Sequence, residues 1–463
     1  MRRLLLVAFL AGCTTVGPDY ERPDLALPEK YIQEKETSAP SISPEWWTLY
    51  SDATLNELVE SSRTRNAEML LAAARVREAE AVLREAGALY VPEVTGGAAA
   101  SRSRVSTRSL PAPAPGTVNR EQYQALASTS FELDFWGRFA RANEAAQAIL
   151  LSSQLSQDTV SLTLAGATAQ AYFALRSLDA QIAVLDNTLK VRRDSLAIVR
   201  SRAQAGLTSD LDVYQAEGAL SDALVERADA QRQRALLERQ LGVLTGRLDL
   251  KLAPGDLFAL PLAPTPPAGL PSDLLERRPD IRSAEQNLVA ANAQIGLVRA
   301  ALFPSIALTA SLGAQSAELS TLLSSGAGIW SIGFALAQPI FDGGRREARV
   351  EQAQARREQA LAGYQRSVET AFREVADAIV NVEESARNEE QLRLRLEAAR
   401  KALELSTLRY ESGYSAYIEV LDAQRTANLA ELVFVRNRQA RLAFSVDLMK
   451  ALGGGWKSGS EPE

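Results

Sequence analysis

Histidine is absent from the 463 residues, and cysteine occurs once, as Cys13. Without imidazole there is no Ser-His-Asp triad, no His-ligated zinc site and no imidazole acid/base chemistry. A single thiol excludes an intrachain disulfide framework and any four-cysteine metal site. Positive charge is not in excess either: 51 Lys+Arg face 57 Asp+Glu, a formal net charge of -6, so no basic face is available for nucleic acid. Carboxylates and lysines can still run an enzyme, and a glycosidase needs two acids in a cleft with sugar-stacking aromatics. The five tryptophans, Trp46, Trp47, Trp136, Trp330 and Trp456, show no such grouping with acids. Trp136 and Trp330 stand near candidate strands, where an interfacial girdle is the simpler role. Transport, scaffolding or adhesion are the better starting classes.

The N-terminus carries an address. Arg2 and Arg3 precede the apolar run Leu4 to Leu10, then Ala11, Gly12 and Cys13. That run is far below the ~20 residues of a spanning helix and reads as a signal peptide over 1–12. The string LAGC resembles a bacterial lipobox, in which cleavage before Cys13 leaves it carrying an S-diacylglycerol and an N-acyl chain. One acyl chain holds a membrane marginally, whereas two or more anchor stably. Thr14 stands where an inner-membrane retention signal would have Asp, which favours sorting to the outer membrane. No other cofactor is expected.

Proline is missing from 116–253 and again from 340–461. An interior proline costs a helix about 3 kcal/mol, so both stretches, rich in Ala, Leu, Glu, Gln and Arg, invite long helices. Leu178, Ile182, Leu185, Leu189, Leu196 and Val199 follow coiled-coil spacing, with Arg192 interrupting. Leu392, Leu396, Ala399, Leu403 and Tyr410 repeat that seam. A soluble coiled coil has the same appearance over these windows.

The chain is also duplicated. RAQAGLTSDLDVYQAE (202–217) aligns with RYESGYSAYIEVLDAQ (409–424), placing Gly206 on Gly413 and Asp212 on Glu419. The upstream segments 67–94 and 279–306 align at a slightly larger offset, and a loop in the hairpin region absorbs the difference. Each half reads helix, hairpin, long helix, glycine turn, returning helix. The candidate strands are 94–104, 122–135, 306–314 and 328–339, about ten residues each, a length that crosses a bilayer at a tilt. Half-buried soluble hairpins look alike. In hydrocarbon, however, an open four-stranded sheet leaves backbone groups unpaired, so either the strands are soluble or several copies close one barrel. The expected organisation is a signal peptide (1–12), an N-terminal anchor and equatorial segment (13–50), a first repeat (51–246) with its hairpin at about 94–135, and a Pro-rich equatorial linker (247–278). A second repeat (279–453) with its hairpin at about 306–339 and a tail (454–463) complete it.

The strings CTTVGPDYERP (13–23), LDFWGR (133–138), LLERRPDIRSAE (274–285), ALFPSIALTASLG (301–313) and QPIFDGGR (338–345), with the two glycine turns, resemble the TolC-like outer membrane factors of bacterial efflux systems, in their NodT-type lipoprotein branch. The resemblance implies a mixed α and β membrane protein, spanning the outer membrane and lipid-anchored, with a large periplasmic portion. Four transmembrane strands per chain would close a twelve-stranded barrel as a homotrimer, above a long coiled-coil α-barrel. It implies a passive, non-enzymatic exit duct for drugs, toxic compounds or metal ions, served by a periplasmic adaptor and an inner-membrane pump of the resistance-nodulation-division type. Adaptor docking would fall on the tips at Gly206 and Leu207 and at Gly413 and Tyr414. Glu419 and Asp422 would form the pore constriction, and Asp212 with Tyr410 a closed-state contact. Ser415 stands where the family has a basic partner, so that latch is expected to be differently built. The rival reading is a lipid-anchored periplasmic adaptor or coiled-coil scaffold without a pore.

Overall fold

The computed structural model describes residues 15–25, 44–108, 114, 118–264 and 274–454. Cys13, the signal segment, Trp456 and most of the loop 109–116 lie outside them. The described residues form two compact units, drawn from Met1–Asp24, Arg77–Ser152 and Ala284–Tyr364, and from Leu25–Val76, Ser153–Ser283 and Gln365–Glu463.

The elements come in duplicate. Helices α1 (Ala53–Arg65) and α2 (Ala67–Ala88) precede strands β1 (Glu93–Arg104) and β2 (Asn119–Glu132), then α3 (Arg138–Gln204) and α4 (Asp210–Leu244). After the linker come α5 (Pro279–Ala300), β3 (Ser305–Ser316), β4 (Gly328–Ala337), α6 (Arg345–Glu411) and α7 (Tyr417–Ala451). Helices α3 and α6 each have 67 residues, and α4 and α7 each have 35. Both pairs begin 207 positions apart. Helices α2 and α5, of 22 residues each, are offset by 212, as are β1 and β3. The change of offset therefore falls between the strands of each hairpin. No described helix is long and apolar enough to cross a membrane.

The first unit holds one antiparallel sheet in the order β1-β2-β3-β4. Strand β2 ends earlier than the sequence suggests, at Glu132, because Asp134 leaves the ladder to cap α3. Its Oδ2 accepts from the Phe139 and Ala140 amides at 2.9 and 3.0 Å, meeting donors a helix start leaves unpaired. Trp136 is held within the chain on both its polar and its aromatic side. Its indole N–H donates to the Pro304 carbonyl at 2.7 Å, and its ring stacks on Phe303 at 4.8 Å. The N-terminal segment is strapped to this unit by an Arg141–Asp19 ion pair of 2.7 Å and an Arg22–Glu285 pair of 2.7 Å. Gly17 is needed there: its φ is +106°, and a Cβ would lie 2.5 Å from the Gly296 Cα.

The second unit contains the main core. A 3₁₀ turn, Trp46–Tyr50, inserts Trp46 and Tyr50 fully buried among Leu55, Phe173, Leu241 and Val446. Tyr50 meets Phe173 edge-on at 4.8 Å, and its hydroxyl bonds the Ser445 hydroxyl at 2.7 Å. Beside it, Asp179 is clamped between Arg176 (2.8 Å) and Arg234 (2.5 Å). Arg176 also donates to the Ala253 carbonyl, Arg234 to the Leu252 carbonyl, and Glu238 accepts the Leu252 amide at 2.9 Å. The linker is thus sewn onto α3 and α4 by ionic hydrogen bonds.

Candidate functional site

Successive side chains on a strand alternate between faces, so the ladder register sorts the sheet into two surfaces. On one face Phe131, Leu308 and Phe334 form one row across β2, β3 and β4, Thr129, Ala310 and Ile332 the next, and Ala127, Leu312 and Trp330 the third. Trp330, Ile332 and Phe334 are 74%, 80% and 77% exposed. Toward the loop end this face turns polar at the Arg102–Glu121 ion pair, 3.3 Å. On the other face Thr95, Ser128, Ser311 and Ser331 make a hydroxyl row across all four strands. Thr95 bonds Ser128 at 3.0 Å and Ser311 bonds Ser331 at 2.8 Å. An apolar face opposite a hydroxyl face is the patterning of a wall between lipid and water. Among the described residues β1 and β4 are each paired on one side only.

At the C-terminal ends of the two 67-residue helices, the chain reverses twice through the same motif. Gly206 (φ +71°) and Gly413 (φ +80°) take the left-handed conformation. The Leu207 amide returns to the Arg202 carbonyl at 2.9 Å and the Tyr414 amide to the Arg409 carbonyl at 2.8 Å. The Gly206 and Gly413 amides close the inner bonds to Ala203 and Tyr410. These are Schellman caps, which require glycine at the turn. Leu207 and Tyr414 project from them, 76% and 79% exposed.

Behind the tips lies a small core of Leu196, Val199, Ala216, Tyr410, Tyr417 and Val420. Burial, followed by the charge of nearby Tyr410, pushes the Tyr417 phenol up to about 12. Glu419 and Asp422 sit on the exposed side of α7. Glu419 lies 3.8 Å from Arg409, and Asp422 pairs with Arg425 at 2.8 Å. Asp212 and Tyr410 are not hydrogen-bonded to each other in this chain. Asp212 accepts from the Thr208 hydroxyl, and the Tyr410 hydroxyl is buried without a partner. The Arg202 guanidinium lies over the Tyr410 ring at 4.6 Å, a cation–π contact.

Two arginines of this region were missed as site residues. Arg202 donates to the Tyr410 carbonyl at 3.0 Å and the Glu411 carbonyl at 2.8 Å. Its signal was available, since both aligned tip strings begin on arginine. Arg192, visible as an interruption of the seam, is buried and donates to the Ala219 carbonyl while its Nε has no partner.

Comparison with known proteins places this geometry. The family model described as "Outer membrane efflux protein" matches residues 58–247 and 270–454. The outer membrane protein OprJ of Pseudomonas aeruginosa is 35% identical over 468 residues, covering 98% of this chain and 96% of that one. The toluene efflux pump outer membrane protein TtgF of Pseudomonas putida is 34% identical, covering 98% and 96%. Among solved structures, the outer-membrane channel OprN superposes with a TM-score of 0.88 at 30% identity, over 96% of this chain and all of that one. The open state of the Neisseria gonorrhoeae MtrE outer membrane channel gives 0.86 at 30% identity, over 97% of this chain and 100% of that one. The chain belongs to the outer membrane efflux protein family: it is a component of an efflux pump system, with the family's mixed α and β channel fold, and not an enzyme.

Proposed function

We propose that the chain is the passive exit duct of a tripartite efflux system, a homotrimer whose three sheets close one twelve-stranded barrel in the outer membrane. The observation that carries this is the open sheet with an apolar face and two half-paired edges. In hydrocarbon every backbone N–H and C=O must be paired, so β4 of one copy must join β1 of the next until the ring closes. The hydroxyl row then lines the lumen and the Phe131, Leu308 and Phe334 row meets lipid. Cys13 carries the S-diacylglycerol and N-acyl anchor, two residues before the strapped segment at Thr15. The relatives' names support small hydrophobic compounds such as toluene as cargo, while drugs and metal ions remain within the class.

Leu207 and Tyr414 at the capped tips are the apolar contacts for a periplasmic adaptor, which links the duct to an inner-membrane pump of the resistance-nodulation-division type. Glu419 and Asp422 share a helix face, so three copies gather six carboxylates at the constriction and favour cations. Alanine at both lowers cation preference in bilayer conductance, and unchanged selectivity removes them from the pore. The reading as a whole is tested by heat-modifiable gel mobility with crosslinking of outer-membrane fractions. A heat-sensitive trimer is expected, and a monomer in the soluble fraction restores the adaptor or scaffold reading.

A further inference from the structure

The two tips share one motif but differ in what their arginines hold. Arg202, four residues before Gly206, reaches out of its own repeat to the last turn of α6. There it satisfies the Tyr410 and Glu411 carbonyls at 3.0 and 2.8 Å. A helix C-terminus leaves such carbonyls without intrahelical donors and carries the negative end of the dipole, so an arginine is well suited to it. The aromatic platform beneath, Tyr410 at 4.6 Å, adds a cation–π contact.

Arg409 stands four residues before Gly413, the same place in the second tip. Among the described residues it donates to no carbonyl. Its charged contact among the described residues is Glu419 at 3.8 Å, and its side chain is 58% exposed. A pair that open and that long contributes little. The positions corresponding to Tyr410 and Glu411 are Ala203 and Gln204, at the end of α3. The Ala203 carbonyl accepts from the Gly206 amide, and among the described residues no arginine is recorded on either carbonyl. Each chain therefore makes the joint once internally and carries a spare donor on the second tip and a spare acceptor on the first.

In a ring of tandem repeats, first-to-second contacts within a chain alternate with second-to-first contacts between chains, and the two are quasi-equivalent. We propose that Arg409 of one copy seats on the Ala203 and Gln204 carbonyls of the next copy, so that arginine-to-helix-end joints run around the whole ring of tips. The inference rests on the closed ring proposed above. The joints are not equal, because Ala203 replaces Tyr410 and offers no ring for the guanidinium. The joint between copies lacks the cation–π contact, so the tips part between copies before they part within one.

The test co-expresses two differently tagged full-length chains, one with Arg409→Cys and one with Gln204→Cys, and applies a short bismaleimide to outer-membrane fractions. A band carrying both tags is expected. It should be absent for Arg387→Cys with Gln204→Cys, since position 387 lies roughly 33 Å further up the helix at 1.5 Å per residue. A trimer on unheated gels with no 409–204 band overturns this joint and leaves the duct standing. Loss of the trimer itself in the unsubstituted chain overturns both. A second measurement needs no cysteine. Arg409→Ala is expected to lower the temperature at which the trimer dissociates on gels, and Arg393→Ala, which removes an exposed arginine paired within its own helix, is expected to leave it in place. An equal drop in both would make the Arg409 effect a general loss of helix charge and overturn the proposal.

Discussion

The tryptophan core and the tip core share α3, α4 and α7, and they differ in how their charged groups are buried. In the tryptophan core the charges are paired or hydrogen-bonded several times over: Asp179 holds two arginines, and Glu238 holds Arg234, Lys251 and the Leu252 amide. At the tips, Arg192 Nε, Gln215 Oε1, Tyr410 Oη, Ser415 Oγ and Gln424 Oε1 are all buried without partners. A buried polar group left unmade costs roughly 1–3 kcal/mol, more for a charge. The comparison teaches where the fold is finished by one chain and where it is not. The linker clamp pairs its charges within a single copy, although the Trp46 indole N–H beside it has no partner, whereas the tip leaves a charged group, Arg192, half-satisfied.

Removing Asp179 should break the complete end of the comparison most severely. Asp179→Ala leaves Arg176 and Arg234 buried and uncompensated, a loss of about 3–5 kcal/mol. It should appear as a large fall in thermal midpoint and in the protection of the linker from protease. At the other end the sign reverses. Arg192→Met removes a buried, half-satisfied charge from an apolar seam, and such replacements are neutral or stabilising by up to about 4 kcal/mol. A raised or unchanged midpoint is expected, and a loss comparable to that of Asp179→Ala would erase the distinction between the two cores.

Acid offers a milder probe. Burial opposes the charge on Glu238, but the Leu252 amide, Lys251 and Arg234 outweigh it and hold the carboxyl below its ordinary value of 4.5. A depressed carboxyl stabilises the fold above that value and loses its contribution as the pH falls through its folded-state value. Protease susceptibility of the linker should therefore rise below pH 4.5, and Glu238→Gln should flatten that rise. The smallest effect is expected for Tyr410→Phe. The hydroxyl is unpaired within the chain, so its removal should not lower stability and should relieve part of its burial cost, on the order of 1 kcal/mol. A large increase in closed-state leak in this variant would reinstate a hydroxyl latch.

Much of the architecture was legible because it was written twice. Gly206 and Gly413 fix two caps that only glycine closes, and the proline-free stretches between hairpin and cap set the helix lengths. Strand ends were less legible, since Leu133 and Phe135 look like strand residues until Asp134 is seen capping α3. Trp136 reads as an interfacial aromatic, and nothing in its neighbours announces the stack on Phe303 across 167 positions of sequence. The linker clamp was hidden for a similar reason. Arg176 and Asp179 stand three apart on a helix, the spacing of an ordinary solvated pair, and only the fold brings Arg234 and the linker carbonyls against them. Within one chain Asp212 bonds Thr208 and the Tyr410 ring lies under Arg202, contacts that the sequence does not announce.

The central claim is that the sheet edges of separate copies join. It is tested most directly by placing cysteine at Ala99 in β1 and, in a second tagged chain, at successive positions 329 to 335 of β4. Oxidation in outer-membrane fractions should yield a two-tag crosslink that peaks at one β4 position and alternates with side-chain face. Uniform absence of crosslinks, with both edges freely modified by a water-soluble maleimide, would contradict the closed barrel.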